Sequence, residues 1–214
     1  MKKIIASVLA ASLLLLGMQA HAQLIGGAGY IYSSEKTTNI DGSTPYHGAF
    51  LGASYNIPVV AGLGVAPGLY ASVLLHNEGA DGGSSKVGYN IAGSDREVAV
   101  NVPIHITYSL NLGKVGLVAY AGPMFQVGLI NTTTVTGSVS LLGFTYSDGG
   151  QVNNYDSEKG TMNRFNIYLG GGLGIQAGDI IFHVGYDHSL MDFDKSQNFV
   201  TSRGLLKVGI GIGF

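Results

Sequence analysis

The chain has 214 residues, no cysteine and a formal net charge of −2, and only 11% of it is Asp, Glu, Lys or Arg, against roughly 25% in an ordinary soluble domain. The missing cysteines exclude disulfides and thiolate metal sites, and the mildly acidic balance removes any electrostatic case for nucleic acid. At 46% hydrophobic residues the chain is apolar enough to fold, yet too poor in charge to cover the surface of a soluble domain.

The N-terminus comes first. Met1-Lys2-Lys3, an uncharged apolar run over 4–16, and Ala20-His21-Ala22 before Gln23 have the form of a secretory signal peptide with its small-x-small cleavage site. The run is too short to serve as a membrane span. The chain therefore divides into a signal peptide, 1–22, and one domain, 23–214.

Eight strand-forming segments follow, at 24–33, 46–57, 64–76, 96–111, 115–129, 164–176, 180–189 and 203–214. The stretch 51–75 carries no charge, but Pro58, Pro67, Gly62, Gly64 and Gly68 break it into two strands around a turn rather than one helix. The 34 glycines are spread through the apolar segments, and helices would suffer from each of them by about 1 kcal/mol relative to Ala. Connections alternate between long and polar (34–45, 77–95, 130–163, 190–202) and short (58–63, 112–114, 177–179). Outer-membrane barrels have this alternation of surface loops and periplasmic turns. The connection 130–163, rich in Thr, Ser, Gly and Asn, is long enough to extend strands beyond the membrane.

Facing follows from alternation. In the fourth segment Val98, Val100, Val102, Ile104, Ile106, Tyr108 and Leu110 oppose Glu97, Ala99, Asn101, Pro103, His105, Thr107 and Ser109. In the sixth, Phe165, Ile167, Leu169, Leu173 and Ile175 oppose Asn166, Tyr168 and a row of glycines. In the seventh, Phe182, Val184 and Tyr186 oppose His183, Gly185, Asp187 and Ser189. The last segment sets Leu206, Val208, Ile210, Ile212 and Phe214 against Lys207 and three glycines. The first segment stays open in its facing. The expected fold is all-β: an eight-stranded antiparallel transmembrane β-barrel. A soluble lipocalin-like barrel would be apolar inside; scarce charge and the terminal Phe214 favour the membrane form. Tyr30, Tyr32, Tyr46, Tyr55, Tyr108, Phe165, Tyr186 and Phe214 are candidates for aromatic girdles.

Glu97, Arg164, Asp187 and Lys207 all fall on the inward face, so a charge network filling the barrel is expected, with Asp187 and Lys207 in contact across neighbouring strands. A gate over a narrow solute path is the sharper reading of the same residues. His183, Asp187 and Ser189 have the residue types of a hydrolase, but the His-x-Ser spacing of barrel deacylases is absent, because His188 and Ser189 are adjacent and point to opposite faces. No catalytic residue is assigned. His105 and His183 lack a carboxylate at ligand spacing, so no metal site is assigned, and no cofactor is expected. The glycine runs lie within strands with no helix to follow, which excludes a phosphate loop.

The run from Glu97 to Pro103 and on to Tyr108, with Tyr120-Ala121-Gly122-Pro123 after it and a glycine-rich last strand closing on Phe214, resembles the outer-membrane β-barrel domain of Bacteroidetes porin family proteins. The resemblance implies a small barrel similar in architecture to that of outer membrane protein A, in the outer membrane of a Gram-negative bacterium. It implies Phe214 as the signal read by the barrel-assembly machinery, with periplasmic chaperones during export, and outer-membrane lipids and lipopolysaccharide around the wall. It brings no catalytic residues. The expected role is structural or surface-interaction, with the long loops carrying any specificity. A narrow small-solute porin and a lipid A-modifying enzyme are the alternatives.

Overall fold

The computed structural model describes residues 23–38, 41–84, 87–141, 144–156, 158, 160–195 and 200–214. The expected signal peptide, 1–22, lies outside the described residues. Nine antiparallel strands run in chain order: β1 (Gln23–Thr37), β2 (Thr44–Val60), β3 (Leu63–Ser84), β4 (Val87–Asn111), β5 (Val115–Leu141), β6 (Phe144–Asn153), β7 (Phe165–Ala177), β8 (Ile180–Ser189) and β9 (Thr201–Gly213). Eight of them close a ring in the order β1–β2–β3–β4–β5–β7–β8–β9, and β9 pairs back onto β1 from Thr201↔Thr37 to Gly213↔Ile25. Closure leaves the ring without a free edge.

β6 stands outside this ring. Among the described residues it pairs only with the upper end of β5, from Thr132↔Asn153 to Leu141↔Phe144, while the lower part of β5 pairs with β7. The upper ends of β3, β4 and β5 together with β6 therefore form a four-stranded arm above the β3–β5 side of the barrel. Much of the expected loops 77–95 and 130–163 is thus strand. The expected short connections are tight turns: β2 passes to β3 through Ala61 and Gly62, at φ of 43° and 84°, the paired positive values of a two-residue hairpin turn.

The alternation of the sequence becomes the two sides of the wall. Leu51, Leu69, Ile106, Leu173, Phe182, Val208 and their neighbours are exposed on the outside. Glycines recur on the inside, where larger side chains need their space. A Cβ on Gly209 would come 2.6 Å from His183 Nε2 and 2.7 Å from Phe50, so two rings can lie there only because the wall is bare. The open facing of β1 is resolved: Ile31, Ser33 and Glu35 are buried inside, and Leu24 and Tyr30 are exposed outside.

Candidate functional site: the barrel interior

The upper interior is organised by Arg203, near the top of β9 and 1% exposed. Its Nε and Nη2 donate to Glu35 Oε2 at 3.1 and 2.6 Å, and Nη1 donates to Glu97 Oε2 at 2.7 Å. The guanidinium lies over Phe193 at 4.3 Å and Tyr46 at 5.4 Å from the ring centroids. Phe193 belongs to the β8–β9 connection, which turns inward because Asp192 Oδ1 accepts from the Thr201 amide at 2.7 Å. Asn131 donates to Glu97 at 3.2 Å and accepts from Asn154 at 2.8 Å, tying the layer to the β6–β7 connection. Two carboxylates, one planar cation and stacked rings give a filled layer across the mouth, held by the pairing that buried charge requires.

Just below, a chain of neutral hydrogen bonds crosses the interior. Tyr168 donates to Gln126 at 3.2 Å, Gln126 to Asn101 at 3.1 Å, and Asn101 to Ser72 at 2.8 Å. Nearby, Lys207 Nζ meets Asp187 Oδ2 at 2.5 Å, and His105, Tyr120, His183 and Phe50 form a continuous run of ring contacts with centroids 5.0–6.3 Å apart. Under the Arg203 layer lies a cavity of about 150 Å³, which reaches the lower rim at Gln23, Asn56, Ser109 and Gln176.

Of the residues expected in the charge network, Glu97 joins the Arg203 layer, and Asp187 and Lys207 form their own pair. Arg164 is not among them. It stands exposed at the rim, donates to the Tyr155 carbonyl through Nε at 3.3 Å and Nη2 at 3.0 Å, and covers the Tyr155 ring at 5.4 Å. There it seats the Tyr155 side chain, whose phenol burial, followed by the charge of Glu97, holds above its ordinary pKa. Arg203 takes the central place instead. Its sequence signal was its parity with Lys207, four residues on along the same strand face; Glu35 shared the parity of Ile31 and Ser33, but lay in an expected loop.

Tyr46, a girdle candidate, is buried inside against Arg203. Tyr30, Phe165 and Tyr186 are exposed on the upper outside, and Tyr55, Tyr108 and Phe214 on the lower outside. The hydrolase residues are engaged elsewhere: Ser189 Oγ accepts from the Arg203 amide at 2.8 Å, Asp187 holds Lys207, and His183 packs on Phe50 and Tyr120. Among the described residues no group of three His, Asp or Glu could hold a metal ion.

No family model matches the chain, and no curated protein matches it, so the resemblance to porin family barrels rests on its motif residues alone. Solved structures do show likenesses. Ail, the attachment invasion locus protein of Yersinia pestis, is 16% identical over 92% of this chain and 100% of that chain, with a TM-score of 0.42. Neisserial surface protein A is 12% identical over 91% of this chain and 99% of that chain, with a TM-score of 0.43. The Pseudomonas putida toluene transporter TodX is 9% identical over 94% and 91%, with a TM-score of 0.26. At such identities and scores each is a likeness and nothing more.

Proposed function

We propose that the protein is an integral barrel of a Gram-negative outer membrane, closed to solutes, with a structural or surface-interaction role carried by its arm. The observation that carries this reading is the placement of charge: Arg203, Glu35, Glu97 and Asp187 are buried inside the ring while large aliphatic side chains stand exposed around its outside. Water on both sides of the wall would give the reverse. Strands of ten to thirteen residues in β7, β8 and β9 suit tilted strands crossing a hydrocarbon core of about 30 Å, and the exposed aromatics fall into an upper and a lower row. Lipid and lipopolysaccharide then cover the outer face, and Phe214, 78% exposed at the lower rim, is offered to the assembly machinery.

The Arg203 layer supports a closed barrel over a narrow porin. In planar lipid bilayers the folded chain is expected to add no stepwise conductance to that of lipid alone. Lys207→Ala is expected to stay silent too, since the seal lies above it. Regular steps from the unaltered protein would replace this reading with the porin. A lipid A-modifying role has less support, because Ser189, Asp187 and His183 are held in other contacts and face inward, away from the lipid.

The arm supports a surface role. Its inward face carries Tyr89, Ile91, Val135, Val139, Leu141, Phe144, Tyr146 and Val152, all exposed. Exposed apolar patches on this scale mark places where proteins meet other molecules.

A further inference from the structure

The cavity of about 150 Å³ under the Arg203 layer is close to the volume of an apolar site that holds a benzene ring, roughly 150 Å³. It is blind: open toward the lower rim and stopped above by the ion pairs of Arg203. Its upper walls are unlike the rest of the interior, since Ile31, Phe50, Leu74, Met124 and Leu205 line it. A filled polar barrel has no need of that lining, whereas small-molecule pockets combine an apolar lining with a few polar groups.

Tyr70, Asn101, Tyr120, Gln126 and His183 also line this space, but Lys207 and His105 are the lining groups left short of partners. Lys207 Nζ has Asp187 Oδ2 at 2.5 Å and Met124 Sδ at 3.8 Å. An ammonium has three N–H donors, so one strong and one weak acceptor leave it short of partners. His105 Nε2 is buried with no hydrogen-bond partner, although the ring itself is fixed against Tyr120 at 5.0 Å. Leaving such a group unsatisfied is costly, and a ligand atom can relieve it.

Charge decides what that ligand is. Asp187 already balances Lys207, so a carboxylate would bring an uncompensated negative charge into a low-dielectric wall. A hydroxyl brings none, and it can serve both groups, its oxygen accepting from Lys207 and its proton donated to His105 Nε2. We propose that this cavity binds a neutral, single-ring amphiphile carrying one hydroxyl group, of which phenol is the plainest member, and that it enters from the lower rim.

The test uses the full mature chain in lipid nanodiscs, where no detergent tail can occupy the cavity, with phenol, toluene and benzoate as probes. Binding is read by isothermal titration and by saturation-transfer NMR, with empty nanodiscs subtracted. Phenol is expected to bind at least about tenfold tighter than either toluene or benzoate, the ratio that one well-placed hydrogen bond provides. His105→Leu is expected to reduce that preference over toluene severalfold, leaving the bond from Lys207, and Ala66→Phe, which fills the cavity, to abolish binding of both. Phenol binding that survives Ala66→Phe would be lipid partition and would overturn the proposal. Toluene matching phenol would overturn it by showing that the polar pair is idle, and tighter benzoate by showing Lys207 to be a free cation. Should either variant fail to fold, the three-probe comparison on the native chain decides alone.

Discussion

Arg203 shows how much of this molecule depends on one side chain. Lysine could not replace it, since a single ammonium cannot donate in fixed directions to Glu35 and Glu97 while lying flat on Phe193 and Tyr46. Removing it leaves two carboxylates buried against apolar rings. Arg203→Ala is therefore expected to cost about 3–5 kcal/mol, the loss typical of a buried ion pair stripped of one partner. Urea unfolding of the vesicle-embedded protein measures this. Combining Glu35→Gln and Glu97→Gln with Arg203→Met is expected to recover most of the loss, because no buried charge then lacks a counter-ion. If Arg203→Ala unfolded at the same urea concentration as the parent, the layer would be ornamental.

At the scale of elements, the β2–β3 turn contains a local conflict. Ala61 sits at φ 43°, the only non-glycine residue at positive φ among those described, and an L-residue pays about 1–2 kcal/mol in that region. Ala61→Asn would create the Asn-Gly pair that such turns favour, so the variant is expected to gain about 1 kcal/mol, seen as a higher urea midpoint with an unchanged slope. A lower midpoint would mean that the turn changes type on substitution. The turn was legible as a short connection, but its strain was not, because a sequence does not reveal that two residues rather than six make the link. The barrel wall was legible because one face had to be apolar and the other polar or glycine. The arm was not, although Thr134-Val135-Thr136-Gly137-Ser138-Val139-Ser140-Leu141 alternates as cleanly as any wall strand. Its Ser, Thr and Gly content resembled loop composition, and only pairing with β4 and β6 makes it a sheet. The Arg203 layer was half legible: Glu97 could be placed by parity, whereas Phe193 and Tyr155 come from connections whose inward fold depends on Asp192 and Arg164.

Taken as a whole, the molecule reverses its sides at the level of Arg203. Below it, strands turn Val, Leu and Ile outward and keep charge inside. Above it, β5 turns Thr132, Thr134, Thr136, Ser138 and Ser140 outward, while Val135, Val139 and Leu141 continue the inward side. A change of outer solvent from lipid to water along the strand, as the proposed function requires, accounts for both patterns, since backbone pairing is the same throughout and only the surroundings of the side chains differ. On the proposed outer-membrane reading, the reversal puts the membrane boundary on β5 near Asn131 and the arm in water on the loop side. The absence of cysteine makes that boundary measurable against a clean background. A membrane-impermeant maleimide applied to intact cells is expected to label Thr136→Cys and Ser147→Cys, which lie on the arm, and to leave Val100→Cys and Leu173→Cys on the outer wall unlabelled. Gly113→Cys, in the β4–β5 turn at the opposite end, is expected to react only after the outer membrane is permeabilised. Labelling at Gly113 in intact cells with protection at Thr136 would invert the orientation, and labelling of Leu173 would remove the lipid from around the wall.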